Sequence, residues 1–481
     1  MKRSVSLIIG GIVIVLLVGA FVLVKSLPKK APKIPPLITI SNLDQAKIDA
    51  ITLEHGGQTV SLKRVGKEFV VQYPYKVAWD SSSISQVVSG FTSLDADREL
   101  SKNATDLAQY GLAPPKATAV ATLADGKTVQ IEIGNKTPSG TDYYVMKKGD
   151  PALYAAATYN INALLSSYDS LRNKNLPSIN TQQLTYFQVT NKGRTIEIAP
   201  MPKGSPLANV SFSSLEVVKP YPVPRAADAN QLNTLLKAFP SYLLVQHFIN
   251  DRPTNAELAQ YGLNPPEAHI VLKDTKNTLD IYLGKQLPDG TMYAKLAGEP
   301  SVFTVNYSDF KPLLDANLFT LTDKFLLIPN IADVASFTIK TANASYDAKI
   351  ERTTEPAPKS GTSSSSNGSS STTTKTTYFL NGKTIKSSDF KNFYQAVIGL
   401  LADSPNPNPN IPFNPEITIT FKLTKGTPDT YSEYLVPYNR LFYAVYRNGY
   451  ADMLLDKGQV NTMLTDAEDL LSGKPLSSSN G

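Results

Sequence analysis

A nine-residue stretch occurs twice in this chain of 481 residues, and it constrains the fold more than any other feature. Residues 107–115 read LAQYGLAPP and residues 258–266 read LAQYGLNPP, so eight of nine positions match at a separation of 151 residues. Both copies are followed by the same order of alternating strands, a Pro-x-Gly-Thr turn, a tyrosine-bearing strand and a short helix. The sequence therefore predicts that a whole structural unit is duplicated.

The nonapeptide itself is typical of a helix end. A glycine at position 111 or 262 suits the residue just beyond the helix, where φ is positive and a Cβ would clash. A leucine follows, which can pack back onto the last turn, and a proline pair then prevents further helix. The structural motif comprises Tyr110, Gly111, Leu112, Pro114 and Pro115 in the first copy and Tyr261, Gly262, Leu263, Pro265 and Pro266 in the second. We expect these residues to have a folding role and not a catalytic one.

The N-terminus predicts a membrane anchor. Residues 5–24 are 20 uncharged, mostly apolar residues, enough for a helix to cross a hydrocarbon core of ~30 Å. Residues 1–4 form a short tail, and the Pro/Lys-rich residues 25–38 predict an extended stalk. A cleaved signal peptide is the alternative, although the apolar run is long for one and no clear cleavage site follows. Basic residues flank both ends, so charge does not fix orientation; we expect a cytoplasmic N-terminus and an extracytoplasmic body in the cell membrane.

The rest of the chain predicts repeated sheets. Val129, Ile131 and Ile133 alternate with polar residues, as in a half-buried strand. The sequence predicts an α+β fold, in which the transmembrane helix precedes three tandem units of antiparallel sheet with packed helices. The predicted bounds are 39–182, 183–333 and 334–472, with a disordered tail at 473–481.

The third predicted unit is divergent. It lacks the nonapeptide, and the Pro-rich residues 404–415 stand in its place as a stiff crossover. It also contains a Ser/Thr-rich stretch that cannot bury enough apolar surface to offset its ordering entropy. We therefore predict a disordered loop at residues 353–377.

Composition excludes several classes of site. The chain has no cysteine, which excludes disulfides, thiol nucleophiles and Cys-ligated metals. Its net charge of +6 arises entirely from the six basic residues that precede the first acid, Asp44. The remaining chain is neutral, so we expect no nucleic-acid binding.

Catalytic constellations are weak. His55, His247 and His269 have no metal-ligand spacing, and neither a complete phosphate-binding loop nor a nucleophile elbow occurs. We predict no catalytic residue, no metal and no cofactor. Tyrosines on predicted strands are more suggestive, because aromatic faces can bind sugars or peptides. Tyr143, Tyr144, Tyr293 and Tyr443 form a candidate interaction surface, with ordinary sheet packing as the alternative.

The repeated motif and the anchor together resemble the bacterial family called domain of unknown function 4340. The resemblance covers most of residues 40–330 and includes Gly134, Pro138, Gly140 and Thr141 with their second-unit counterparts Gly284, Pro288, Gly290 and Thr291. Members look like envelope proteins often encoded beside ABC-type transporters of the gliding-motility kind. The resemblance implies a non-enzymatic accessory or scaffold of an ABC-type export complex, with permease or ATPase subunits as partners. The alternative is an envelope module that binds glycans or peptides through tyrosine-rich strand faces. The sequence leaves the oligomeric state open.

Overall fold

The computed structural model describes residues 36–356, 372–447 and 449–476, which form mostly antiparallel sheet with some helices. The predicted tail at 1–4, the predicted anchor at 5–24 and nearly all of the predicted stalk lie outside these ranges. Among the described residues no helix is long and apolar enough to cross a bilayer. The chain divides between Asn173 and Lys174 into two compact bodies.

The first body contains one repeat, residues 36–173. Its strands are β1 Ile38–Ser41, β2 Ile48–His55, β3 Gln58–Val65, β4 Glu68–Val71, β5 Leu94–Ala96, β6 Arg98–Ser101, β7 Ala117–Leu123, β8 Thr128–Lys136, β9 Asp142–Lys147 and β10 Leu153–Ala157. Its helices are α1 Ser81–Thr92, α2 Thr158–Ile161 and α3 Tyr168–Leu171, with 3-10 turns at Gln45–Lys47, Leu107–Tyr110 and Asn162–Leu165.

The second body begins with a second repeat, residues 174–323. Its strands are β11 Tyr186–Asn191, β12 Arg194–Pro200, β13 Leu215–Lys219, β14 Arg225–Ala226, β15 Phe248–Asn250, β16 Ala268–Lys273, β17 Thr278–Gln286, β18 Thr291–Leu296 and β19 Val302–Asn306. Its helices are α4 Ala229–Lys237, α5 Asn255–Gln260, α6 Tyr307–Leu314 and α7 Leu318–Leu321, with 3-10 turns at Thr181–Gln183 and Pro206–Asn209.

A third repeat, from residue 324 onward, completes the second body. Its strands are β20 Val334–Lys340, β21 Ser345–Pro356, β22 Thr372–Leu380, β23 Lys383–Ile385, β24 Ala402–Pro405, β25 Ile417–Leu423, β26 Thr430–Pro437, β27 Phe442–Arg447 and β28 Tyr450–Asp456. Its helices are α8 Ser387–Ile398 and α9 Lys457–Ser472, with a 3-10 turn at Ile331–Asp333.

All three large sheets have one strand order. The second sheet runs β14-β13-β12-β11-β16-β17-β18-β19-β15, and the third runs β23-β22-β21-β20-β25-β26-β27-β28-β24. The first follows the same path, β4-β3-β2-β7-β8-β9-β10-β6, without the outermost short strand. The third unit therefore keeps the topology of the other two although its sequence has diverged.

The predicted unit boundaries at 182/183 and 333/334 fall too late in the chain. Leu176 and Ile179 are buried in the second core, and Asn175 bridges to Leu244. In the same way Leu326 is buried in the third core, and the Ala402 amide donates to the Lys324 carbonyl. Each repeat thus begins with an extended segment that pairs with residues far along the chain. Hydrophobic periodicity does not reveal such a long-range contact.

The predicted disordered loop at 353–377 is also too long. β21 continues to Pro356 and β22 resumes at Thr372, with paired registers from Pro356↔Thr372 inward. Backbone hydrogen bonds between the two paired strands therefore hold these residues in regular structure without a hydrophobic core. Residues 357–371, the remainder of the predicted loop, lie outside the described residues, as do residues 477–481 of the predicted tail.

Each repeat buries one face of its sheet under a helix. In the first repeat Ile84, Val87, Val88 and Phe91 of α1 join the sheet residues in one core, as the periodicity predicts. An Asp80 side chain caps this helix by accepting from the Ser82 amide. The chain then turns into strands β5 and β6.

Candidate functional site

The duplicated nonapeptide forms a helix end of the predicted kind in both repeats. Gly111 has φ of 68° and Gly262 has φ of 72°, the left-handed conformation that glycine adopts without strain. The Leu112 amide donates to the Leu107 carbonyl at 3.0 Å, and the Gly111 amide donates to the Ala108 carbonyl at 3.0 Å. This pair of bonds defines a Schellman cap. Leu263 and Gly262 make the same two bonds in the second copy.

In each repeat the end of the nonapeptide helix packs against a glycine of the neighbouring strand, Gly134 or Gly284. A Cβ on Gly134 would lie 2.1 Å from the Tyr110 carbonyl oxygen, and one on Gly284 would lie 2.2 Å from that of Tyr261. The Lys285 amide donates to this Tyr261 carbonyl at 2.9 Å. The helix end is therefore seated directly against the backbone of β8 or β17, and only glycine leaves room for it.

Two neighbouring tyrosines of β9, Tyr143 and Tyr144, lie on opposite faces of the first sheet. Tyr143 packs against the main core together with Val145, whereas Tyr144 and Met146 join a separate small cluster around Leu112. The nonapeptide thus covers the second face of the sheet. The Tyr110 and Tyr144 rings lie 4.9 Å apart, centroid to centroid, and Tyr261 and Tyr293 form the equivalent pair at 4.7 Å.

The Pro-rich segment takes over this covering role in the third repeat. Phe413 packs against Tyr434 at 5.1 Å and against Tyr446 at 4.9 Å between ring centroids. Ile411 and Tyr446 pack against a small buried cluster that includes Ala444 and Leu454. Residues 404–415 therefore replace the nonapeptide in function as well as in sequence position.

These contacts decide where the sequence-predicted tyrosines lie. Tyr143, Tyr144 and Tyr293 are half-buried, and Tyr443 is only 5% exposed. Tyr443 is thus removed from the candidate interaction surface, because its strand position faces the third core. The other three use their rings for packing within their own repeats.

One histidine has an acidic partner that its sequence position does not reveal. His269 Nε2 lies 2.7 Å from Asp280 Oδ1 across β16 and β17, and its ring stacks on Tyr282 at 4.4 Å. Both side chains are partly exposed on the sheet surface. The other ring nitrogen, Nδ1, lies 3.5 Å from Gln188 Nε2 on the neighbouring strand β11.

A buried ion pair joins the second repeat to the third. Arg225 on β14 donates from Nε to Asp452 Oδ2 at 3.0 Å, and its Nη2 also contacts Oδ1. The two side chains are 6% and 8% exposed. A bidentate pair of this kind constrains direction as well as distance, and it adds to the contacts that Val210 and Tyr221 make with the third core.

A second arginine lies beside this pair. Arg447 donates to Glu433 Oε1 and, at 2.7 Å, to the Leu326 carbonyl. The Glu433 side chain is 1% exposed, and within the described ranges no hydrogen-bond donor reaches its Oε2. The junction therefore encloses a cluster of charges, Arg225, Arg447, Glu433 and Asp452, in which every group depends on a neighbour.

Burial shifts the ionisation of groups at this junction. Burial, and after it the nearby positive charge of Arg225, together lower the pKa of Arg447 to about 9. Burial also raises the pKa of the Asp323 carboxyl, and Asp228 adds to this effect. Tyr221, whose hydroxyl lies 3.1 Å from that of Thr322, has its pKa raised by burial as well.

A groove of about 960 Å³ opens beside the charge cluster, lined by both repeats. Its apolar and aromatic lining includes Leu313, Leu318, Phe319, Tyr221 and Tyr450, and prolines 220, 405 and 409 stand along its walls. Its charged lining consists of Lys192, Arg194, Asp315 and Asp452. The volume is at the upper end of the range for ligand pockets, ~300–1,000 Å³. This groove is the candidate functional site.

Isolated charges in apolar stretches of the sequence are a signal that could have pointed to the buried ion pair beside this groove. Asp452 is the one charged residue in the apolar run 450–455, YADMLL, and Arg225 lies alone between Pro224 and two alanines. A charge in an apolar run is buried only if it finds a partner.

Across the described part of the chain no group of histidine and carboxylate side chains is arranged to hold a metal ion.

Comparison with known proteins agrees with the repeated architecture. The family model for the domain of unknown function (DUF4340) matches residues 70–257 and, again, residues 216–396. The two matches begin on the corresponding strands β4 and β13. No curated protein and no solved structure matches the chain. Because the two family matches together span more than half of the chain, this protein belongs to the DUF4340 family.

Proposed function

We propose that this protein is a non-enzymatic accessory or scaffold of an ABC-type export complex in the cell membrane. Residues 5–24 anchor it as a single-pass protein with a cytoplasmic N-terminus. The repeats outside the membrane present a binding surface to the permease subunits, through which the ATPase subunits join the complex. The choice of an ABC-type partner rests on the resemblance of the repeated motif and the anchor to envelope proteins of the family.

The observation that carries the scaffold proposal is the buried Arg225–Asp452 pair between the second and third repeats. Replacing a buried ion pair by apolar residues is often neutral or stabilising, so such a pair is poor evidence for stability. Its directional bonds instead hold two repeats at one register. A pre-organised pair of repeats suits a scaffold, which loses less conformational freedom when a partner binds.

Support for the alternative is weaker. A glycan- or peptide-binding module that uses tyrosine-rich strand faces requires exposed rings. Tyr144 and Tyr293 instead pack on the tyrosines of the nonapeptide, and Tyr443 is buried.

The test is gentle detergent extraction of the tagged full-length protein, followed by mass spectrometry of the proteins that accompany it. We expect permease or ATPase subunits in stoichiometric amounts. A version in which an unrelated spanning helix replaces residues 5–24 serves as the control and should retain the same partners. A protein that emerges alone, or that is fully active as a free soluble enzyme, would contradict the proposal.

A further inference from the structure

The charges along the groove between the second and third repeats do not balance. Asp452 is bound by Arg225, and Asp315 pairs with Lys311 at the end of α6. Lys192 lies on the β11–β12 turn and Arg194 begins β12; both are exposed and line the groove, and neither makes an ion pair with any described residue. Two positive charges are therefore left at the groove, which favours an anionic ligand.

The amides of the lining have the donors and acceptors that a peptide backbone needs. Asn191 donates through Nδ2 to the Leu314 carbonyl at 2.8 Å, which leaves its Oδ1 unbonded among the described residues. Asn317 accepts at Oδ1 from the Thr320 amide at 3.0 Å, which leaves its Nδ2 without a partner in the same ranges. One free acceptor and one free donor match the C=O and N–H groups of an extended chain.

The apolar lining favours a polypeptide over a purely polar polymer. Leu318, Phe319 and Tyr450 offer contacts for aliphatic and aromatic side chains. A groove of about 960 Å³ has room for several residues.

The remaining segments of this chain do not supply a matching anionic ligand. Residues 1–35 carry six basic residues and no acid, residues 357–371 carry one lysine and no acid, and residues 477–481 are uncharged. Charge complementarity therefore points to a different protein.

We propose that the groove binds an extended acidic segment of a partner protein, held by Lys192 and Arg194 at its charged end and by the aromatic lining along its length. This inference rests on the proposed scaffold function and names the chemistry of the partner. It makes the junction of the second and third repeats, and not the tyrosines of the strand faces, the recognition surface.

The test places the photo-crosslinking residue p-benzoylphenylalanine at Tyr450 of the full-length protein in its native membrane. After irradiation, mass spectrometry should identify one partner segment that contains several Asp or Glu residues. The double variant K192E/R194E should lower the crosslink yield at least about tenfold at low salt, and the loss should shrink in high salt because ionic screening weakens exposed charges. The matched control K340E/K422E reverses two exposed lysines that are absent from the groove lining and should leave the yield unchanged.

The outcomes separate this inference from the scaffold proposal. Crosslinks to a second copy of this chain, to a segment without acidic residues, or to an anionic polysaccharide would overturn the acidic-segment inference. So would co-purification of transporter subunits with undiminished crosslinking in K192E/R194E, although the scaffold function would then stand. An acidic crosslinked segment from a protein unrelated to transport would support the groove and reject the ABC-type partner.

Discussion

Arg225 of the second repeat and Asp452 of the third form a bidentate ion pair that is almost wholly removed from solvent. The two residues are 227 positions apart in the chain. Their side chains meet because β14 is the edge strand of one sheet and β28 lies next to the edge strand of the following one. The pair therefore ties together two repeats that are otherwise successive copies of one fold.

Removing one partner of this pair should loosen the junction. Asp452→Asn leaves Arg225 buried next to Arg447 without its carboxylate, and breaking such a pair typically costs ~3–5 kcal/mol. Hydrogen exchange of the full-length protein should show faster exchange in peptides from β14 and β28 than in the wild type. The double variant R225M/D452L, which removes both charges, should recover most of the protection. Equal exchange in D452N and the wild type would show that the pair is not required at the junction.

Gly284→Ala should be more damaging than Gly290→Ala. The new Cβ at residue 284 would lie 2.2 Å from a backbone oxygen, so the strand or the helix end must move, at a cost of about 3 kcal/mol or more. Gly290 has a positive φ but nothing within 4 Å of its Cβ position, so its substitution should cost only about 1 kcal/mol. Thermal unfolding in detergent measures the two costs, and hydrogen exchange at Lys285 reports loss of its bond to the Tyr261 carbonyl. Equal costs for both variants would reject the close-approach explanation.

The stability of the second body should fall as pH rises, because of the titration of Asp323. Its pKa is raised above 3.8 by burial, so between 3.8 and the raised value the folded protein keeps a proton that the unfolded chain has released. Each increase in pH through this window then favours the unfolded chain. Asp323→Asn keeps an oxygen to accept from the Phe325 amide and removes the titration. Urea unfolding from pH 4 to pH 7 should show the wild type losing stability relative to D323N; the opposite trend would mean that the carboxylate is stabilised at the junction.

Tyr293 should matter for stability and not for partner capture. Tyr293→Ala removes the ring that packs on Tyr261 and should cost about 2 kcal/mol, whereas Tyr293→Phe keeps the ring and should be nearly neutral. Thermal unfolding measures both effects. Partner capture at a temperature where all forms are folded should be equal. If Y293A and Y293F both lost partners without losing stability, the strand-face tyrosines would be restored as a recognition surface.

The sequence by itself determined the local structure and its duplication. The Schellman caps at Gly111 and Gly262, the helix α1 with its apolar face, and the two motif-bearing units depend on hydrogen bonds and periodicities within a few residues, which a linear pattern records. The divergence of the third unit was visible too, and so was the position of its Pro-rich segment.

Only the tertiary structure decided which residues share a site. Tyr143 and Tyr144 are adjacent in sequence but lie on opposite faces of a sheet, because successive strand residues alternate. The repeat boundaries differ from the predicted ones because Asn175 pairs with Leu244 and Lys324 with Ala402, residues far along the chain. Arg225 and Asp452 stand out in the sequence as isolated charges in apolar surroundings, but neither indicates its partner. Their pairing, and the position of Lys192 and Arg194 at the same junction, depend on how two whole repeats pack.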